Sequence, residues 1–119
     1  MDESILFSVK KLLGIYAENT DFDTDIILHI NAVLAILQQL GVGPEGGFAI
    51  TGYNEQWSDL LGSDSTYLNQ VQSYVYMKVR LLFDPPVSSA VSNSLDRLTQ
   101  EFEWRINVAA ENHDAEEAS

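Results

Sequence analysis

The feature that most constrains this fold is the apolar stretch between residues 23 and 40. Large apolar residues recur in it every three or four positions, which is the spacing of one face of an α-helix. They are Ile26, Ile27, Ile30, Val33, Leu34, Leu37 and Leu40. Ala32, Ala35 and Ile36 widen this stripe, so we expect neighbours to cover the helix on more than one side. Asp23 is its predicted N-cap, and Gly41 is its predicted end.

Three other segments show the same helical period. The first runs from about residue 4 to residue 13. Another follows a predicted cap at Asp64 or Ser65 and ends at Asp84, because the proline after Asp84 disfavours helical geometry there. The last begins near Ser88. Its core-facing stripe is predicted to be Val91, Leu95, Leu98, Phe102 and Ile106.

A glycine-rich loop and a short helix join the second and third long helices. Four of the seven glycines fall within residues 41–47, and Phe48 and Ile50 alternate with small residues, which allows a short extended segment. A short helix, capped by Asn54 and closed by Gly62, is predicted to follow. These elements predict an all-α fold, a small four-helix-type bundle with an extra short helix, a glycine-rich loop and an extended C-terminal helix or tail.

The apolar content ends at Ala110, which divides the chain into two predicted parts. Residues 1–110 form the helical domain. Residues 111–119 hold four acids and no Lys or Arg, which predicts a solvated acidic tail.

The balance of charge argues against several classes of function. The 119 residues include six Lys and Arg against eighteen Asp and Glu, for a net charge of −12. Binding to nucleic-acid phosphates or to an anionic membrane needs clustered bases, so neither is expected. The absence of cysteine excludes disulfides, thiolate nucleophiles and Cys-based zinc sites. No apolar run is long enough to span a bilayer and the start is unlike a signal peptide, so we expect one soluble, intracellular domain.

Three patterns that can signal chemistry have simpler explanations here. The G-x-G-x-x-G string of residues 41–46 follows a helix rather than a strand, so it lacks the context of a dinucleotide site. The acids at 21, 23 and 25 begin like a calcium loop, but Ile26 and Ala32 stand where that loop needs Gly and Glu. His29 lies in a helix and His113 in the tail, and a single histidine makes no metal site. The sequence predicts no catalytic residue, no cofactor and no metal, and therefore no enzyme.

Several aromatic residues are candidates for partner binding. Trp104 points about 160° away from the predicted core stripe of its helix, and Arg105 is next to it. An outward Trp often marks a binding surface, although the bundle could equally wrap both faces of this helix. Phe48 and Trp57 are in or beside the glycine-rich loop. They are candidates to anchor a neighbouring subunit, or else they cover their own core.

Five segments, taken in order, resemble a known family. They are residues 25–34 (DIILHINAVL), 40–44 (LGVGP), the helix that starts with Trp57-Ser-Asp, 74–86 (YVYMKVRLLFDPP) and 103–108 (EWRINV). Over about residues 5–110 the chain resembles the head–tail connector (adaptor or head-completion) proteins of long-tailed bacteriophages, in the subgroup common in phages of Gram-positive hosts. The FDPP and EWR strings are the most specific part of this resemblance.

The resemblance implies a structural role in the neck of the virion. Such proteins assemble as a ring, typically of twelve subunits, beneath the portal protein, extend the DNA conduit, and present a platform to the next neck or stopper protein. It implies portal contact for the region of Trp104, Arg105, Asn107 and Val108 and for the acidic tail. The loop of residues 41–52 would contact other subunits or the channel. DNA would pass without specific binding, no membrane would be involved, and the protein would be made in the host cytoplasm.

Two alternatives come from other classes of function. A small acidic inhibitor that mimics DNA would suit the charge, but its carboxylates would have to line one face at phosphate spacing, and here they are scattered among helix ends and the tail. A helical enzyme is supported by no motif. For a ring, subunits of −12 repel phosphate, which suits a conduit. They also repel each other, so assembly needs apolar contacts and should become easier as salt screens the charge.

Overall fold

The computed structural model describes residues 4–62 and 68–118, with side chains up to residue 111, and these ranges contain five helices and no strand. The helices are α1 (Ile5–Leu13), α2 (Asp23–Gln39), α3 (Trp57–Leu61), α4 (Leu68–Phe83) and α5 (Ser89–Ala118). The prediction of a small all-α bundle with one extra short helix is confirmed. The predicted cap at Asp64 or Ser65 lies outside the described residues.

The helix at the centre of the bundle is α4, because it packs against α2, α5 and α1. Apolar side chains at helical spacing fill the space between these helices, and each such side chain contributes roughly 1.5–3 kcal/mol when fully buried. The buried apolar side chains of α1, α2 and α4 are Ile5, Leu6 and Val9 of α1, Ile26, Ile30, Val33, Leu34 and Leu37 of α2, and Val71, Tyr74, Val75, Met77 and Val79 of α4. The apolar stripe predicted for the second helix is therefore a core face.

Two of the predicted helix caps are wrong. Asp23 is the first residue of α2 rather than its N-cap, because its carboxylate is 2.7 Å from the ammonium of Lys10 instead of capping its own helix. The N-cap of α3 is Gln56, which forms a capping box with Asp59, and not Asn54. Gln56 is held there because it makes an isolated bridge with Ser4, which keeps the chain extended up to the start of the helix.

Lys10 is a buried charge that the sequence pattern does not reveal. Its side chain is 1% exposed and its ammonium lies 2.7 Å from both the Asp23 carboxylate and the Asn19 carbonyl oxygen. The Tyr53 hydroxyl also accepts a hydrogen bond from it. Burial by itself would lower the pKa of Lys10, but the hydrogen bonds to Asp23 and Tyr53 outweigh that effect and raise it. Lys10 thereby joins α1 to the start of α2 and to the segment before α3.

The loop of residues 41–52 is fixed by side chains rather than by strand pairing. Asn31 of α2 donates from Nδ2 to the Ile50 carbonyl at 3.0 Å and accepts at Oδ1 from the Ile50 N–H at 2.7 Å. These two bonds satisfy both backbone groups of Ile50, so the extended segment that the sequence allows needs no partner strand. At the loop's start, Gly41 has a φ of +94°, and a Cβ there would lie 3.1 Å from the Cβ of Ala110. The loop is therefore closely packed against α5.

The last helix turns a different face to the core than the sequence predicts. Thr99, Ile106 and Ala110 of α5 are buried, whereas Val91 and Leu98 of the predicted stripe are 49% and 41% exposed. At the helical period this is a rotation of about 60°. The physical reason is that α1, with nine residues, is too short to cover the flank of a helix of thirty residues.

The backbone of α5 also continues past Ala110 to Ala118. The predicted boundary at residue 110 is therefore a change of composition within one continuous helix, and not a break in secondary structure. The side chains beyond residue 111, including that of His113, lie outside the described part.

Candidate interaction surfaces

The outer side of α5 presents the tryptophan that the sequence singles out. Trp104 is 68% exposed, and it points about 140° away from the buried residues of its helix. The bundle does not wrap this side of α5, so an outward Trp is the arrangement found. Covering a large exposed aromatic side chain with a partner surface lowers the free energy, so Trp104 is available to contact a partner.

The neighbours of Trp104 differ in how available they are. Arg105 is exposed and pairs with Glu101 one turn earlier at 2.6 Å, and an exposed pair of this kind contributes little and rearranges easily. Asn107 donates from Nδ2 to the Leu40 carbonyl at 3.2 Å, which satisfies a backbone group at the end of α2. Val108 is partly buried. Trp104 and Arg105 are thus accessible, whereas Asn107 positions the helix that carries them.

Beneath the Trp104 side, a polar link joins α5 to α4. The hydroxyl of Tyr74 donates to Oε2 of Glu103 at 2.7 Å, and the ammonium of Lys78 lies 3.7 Å from the same oxygen. Burial raises the pKa of Tyr74, and the Glu103 carboxylate raises it further. The phenol therefore stays protonated near neutral pH and keeps its hydrogen bond, which helps to set the register of α5 on α4.

The two aromatic candidates near the glycine-rich loop face their own core. Trp57 is 2% exposed and its indole Nε1 donates to Oγ of Ser8 at 3.1 Å. Phe48 is partly buried and packs against the core cluster. Of the two alternatives left open for this pair, the burial of Trp57 favours a role in its own core, while Phe48 keeps some exposed surface.

The sequence did not indicate one further surface, an apolar groove between α1, α4 and α5, which we name the α5 groove. It has a volume of about 490 Å³. Its lining residues are Leu12, Asn69, Gln72, Ser73, Tyr76, Met77, Leu98 and Phe102. Leu98 and Phe102 of the predicted apolar stripe line it, but periodicity alone cannot tell a covered stripe from an uncovered one.

Reactive groups do not converge in the described part of the chain. No set of three or more His, Asp or Glu side chains there could hold a metal ion. The ring of His29 packs edge-on against Phe83, with 6.4 Å between the ring centroids. Among the described residues, no helix is long and apolar enough to cross a membrane.

Taken together, the described geometry is that of a small helical protein with exposed aromatic and apolar surfaces. The family model of the phage connector proteins matches residues 5–113, which is most of the chain. The chain belongs to this family, and the predicted resemblance to bacteriophage head–tail connectors is confirmed. The family is a structural one, and membership indicates a role in the phage neck and a place in the virion. No curated protein and no solved structure matches the chain.

Proposed function

We propose that this protein is a connector subunit that assembles as a closed ring of about twelve copies beneath the portal and joins the capsid to the tail. The observation that carries the proposal is the family match over residues 5–113. The number of copies and the portal as partner are those that the family resemblance implies. The ring would extend the DNA channel and offer its other side to the next neck or stopper protein.

The C-terminal half of α5 is the proposed portal contact. Trp104 stands on a helix that is held in place at two points, by Tyr74 and Glu103 towards α4 and by Asn107 towards the end of α2. An aromatic side chain on a rigid element loses little conformational entropy when it docks. It is therefore suited to act as a central anchor, with Arg105 beside it.

The charge of the last turns of α5 supports the same assignment. The helix extends to Ala118, and residues 111–118 carry four acids and no Lys or Arg. Acids near a helix C-terminus are unfavourable, because the last carbonyl groups already carry partial negative charge. A partner that presents bases or helix N-termini to this segment would remove the repulsion. We infer that the portal surface that receives α5 is basic around an apolar pocket.

Passage of DNA is the other property that the charge supports. A ring whose subunits each carry −12 repels the phosphate backbone. A basic lining would bind the same backbone through counterion release and slow its movement. Weak, repulsive contact is what a conduit needs, and no specific DNA site is proposed.

The test is co-sedimentation of the protein with the portal ring of its own phage over a salt series. Association of neighbouring subunits on the portal should become easier as salt shortens the Debye length from about 10 Å at 0.1 M towards 3 Å at 1 M, because repulsion between them is screened, whereas attraction between the acidic tail and a basic portal surface should weaken. Trp104→Ala should weaken binding by about tenfold or more, as for a central aromatic anchor. The control is Tyr16→Ala, because Tyr16 is also an exposed aromatic but stands outside α5.

Removal of residues 111–119 tests the contribution of the tail to portal binding. The loss of binding should be larger at low salt than at high salt. If the protein stays unbound at every salt concentration, while the same portal preparation binds another neck component, the connector proposal is refuted. Equal losses for Trp104→Ala and Tyr16→Ala would refute the assignment of the portal contact to α5.

A further inference from the structure

The α5 groove is an apolar surface that the protein leaves open. Leu12 and Leu98 stand on its two sides with about half of their surface exposed, and Met77 and Phe102 form its floor. A nine-residue helix is about 14 Å long and a thirty-residue helix about 45 Å, so α1 cannot cover the flank of α5. No other helix within residues 4–62 and 68–118 covers this flank of α5.

The groove is also unusual in its charge. It continues into a second cavity, of about 330 Å³, which shares Leu12, Asn69 and Gln72 with it and adds Lys11. Among the described residues, those that line the two cavities include Lys11 and no acid, although the chain has eighteen acids against six bases. On a protein of net charge −12, a surface with an exposed lysine is where another acidic chain can approach with less repulsion.

A surface of complementary character lies on the outer face of α2. Leu28 is 66% exposed there. Asp25 lies about one turn before it, and Asp21 lies two residues before the helix begins. The small residues Ala32 and Ala35 follow Leu28 at helical spacing, and all four residues are exposed. The result is an amphipathic helix face with one large apolar residue, an acidic end, and little bulk to hold a partner away. This is the form of a helix that binds in a groove.

The two surfaces are on different sides of the molecule. Helices α2 and α5 both pack against α4 without extensive contact with each other. The outer face of α2 therefore cannot reach the α5 groove of its own chain, but it can reach that of a second copy. A contact between two different surfaces of identical chains is heterologous, and it closes into a ring when the rotation between copies allows.

We propose that neighbouring subunits associate by inserting Leu28 of one copy into the α5 groove of the next, with Asp21 and Asp25 facing Lys11. The proposal rests on the ring of the proposed function and adds the surfaces that build it. It also explains how subunits of like charge associate, because the contact joins the acidic end of α2 in one copy to the face that carries Lys11 in the other.

Cross-linking through introduced cysteines tests this contact directly, because the natural chain has none. The variants Leu28→Cys and Leu98→Cys would be mixed and oxidised in two settings. In the first the proteins are free, at high protein concentration and high salt, and in the second the portal ring is present. A disulfide requires Cα atoms within about 7 Å, so a cross-linked dimer is expected from the mixture and a ladder of oligomers from the double variant. Tyr16→Cys mixed with Leu98→Cys is the control and should give neither.

A charge reversal provides a second, independent readout. Lys11→Glu in the Leu98→Cys chain should lower the yield of cross-linked dimer about two- to fivefold, which is the range for one partly exposed ion pair. Asp25→Lys in the Leu28→Cys chain should restore it. Loss without restoration would mean that Lys11 acts on something other than the α2 face, and it would overturn the pairing proposed.

The other outcomes are equally decisive. Cross-linking of Leu98→Cys with itself would show a symmetric contact and overturn the head-to-tail arrangement. Absence of the Leu28–Leu98 cross-link in both settings would overturn the proposal, even if the protein sediments with the portal. Cross-linking without portal binding would instead support the contact and count against the proposed function. If Leu98→Glu reduces portal binding but leaves self-association unchanged, the groove is a portal contact and the proposal is wrong.

Discussion

Removing the acid of the buried Lys10–Asp23 pair should destabilise the protein more than removing the base. The two side chains differ in burial, since Lys10 is 1% exposed and Asp23 is 17% exposed. Asp23→Asn leaves an ammonium inside the protein with only neutral oxygen atoms around it, from Ala17, Asn19 and Tyr53. Lys10→Met leaves a carboxylate that water can reach, and the methionine occupies most of the volume of the lysine stem.

The magnitudes follow from that asymmetry. Stranding a buried charge by removing its partner costs about 3–5 kcal/mol of unfolding free energy, and we expect this for Asp23→Asn. Lys10→Met loses hydrogen bonds worth about 1 kcal/mol each but strands no buried charge, so we expect about 1–3 kcal/mol. The double variant has no ammonium to strand. It should be about as stable as Lys10→Met alone, so the coupling between the two positions should equal the cost of Asp23→Asn, about 3–5 kcal/mol.

Urea unfolding followed by far-UV circular dichroism measures all four free energies of the cycle. Lys11→Met is the matched control, because Lys11 is the adjacent lysine of the same helix and is exposed, and it should change stability by less than about 0.5 kcal/mol. Equal losses for the two single variants, or a double variant whose loss is the sum of the two, would refute the reasoning from burial.

Three further predictions concern the packing of single side chains. Gly41→Ala should lower the free energy of unfolding in urea by about 1–3 kcal/mol, because φ is +94° and the new methyl group meets α5. Gly46→Ala is the control, and it should be nearly neutral because a methyl group there enters open space. Above about pH 10 the unfolded phenol of Tyr74 ionises, while burial and Glu103 keep the folded one protonated. Unfolding free energy should therefore fall there by up to about 1.4 kcal/mol per pH unit, and less in Tyr74→Phe, as thermal melts at several pH values would show. Trp57→Phe should lower the free energy of unfolding by about 1–3 kcal/mol. The fluorescence that remains should be the red-shifted emission of Trp104, whose indole is exposed.

Much of the fold could be predicted from the chain itself. The four long helices and the short one occur where the spacing of apolar residues predicts them, and the last residue of α4 is Phe83, before Asp84 and two prolines. Glycines after α1 and α3 act as the C-caps that their positions suggest. These features are local, because they depend on interactions within a few residues along the chain.

The surfaces were predictable only in part. The angle of Trp104 on its helix left two alternatives open, an exposed side chain or one covered by the bundle, and the structure shows the exposed one. The contact of Trp104 and Arg105 with the portal remains a prediction, as does the division of the chain at residue 110. Leu98 was assigned to the core because the spacing of apolar residues in α5 is the same whether or not another helix covers them.

The sequence by itself determined which segments are helical, where they stop, how acidic the protein is and to which family it belongs. Only the tertiary structure decided that Lys10 is buried with Asp23, that α5 is rotated on α4, and that the α5 groove stays open. Helix formation depends on backbone hydrogen bonds and apolar spacing within a few turns, which the order of residues records. The choice of face, partner and burial depends on the lengths and positions of helices that are distant in sequence, and no local pattern contains that information.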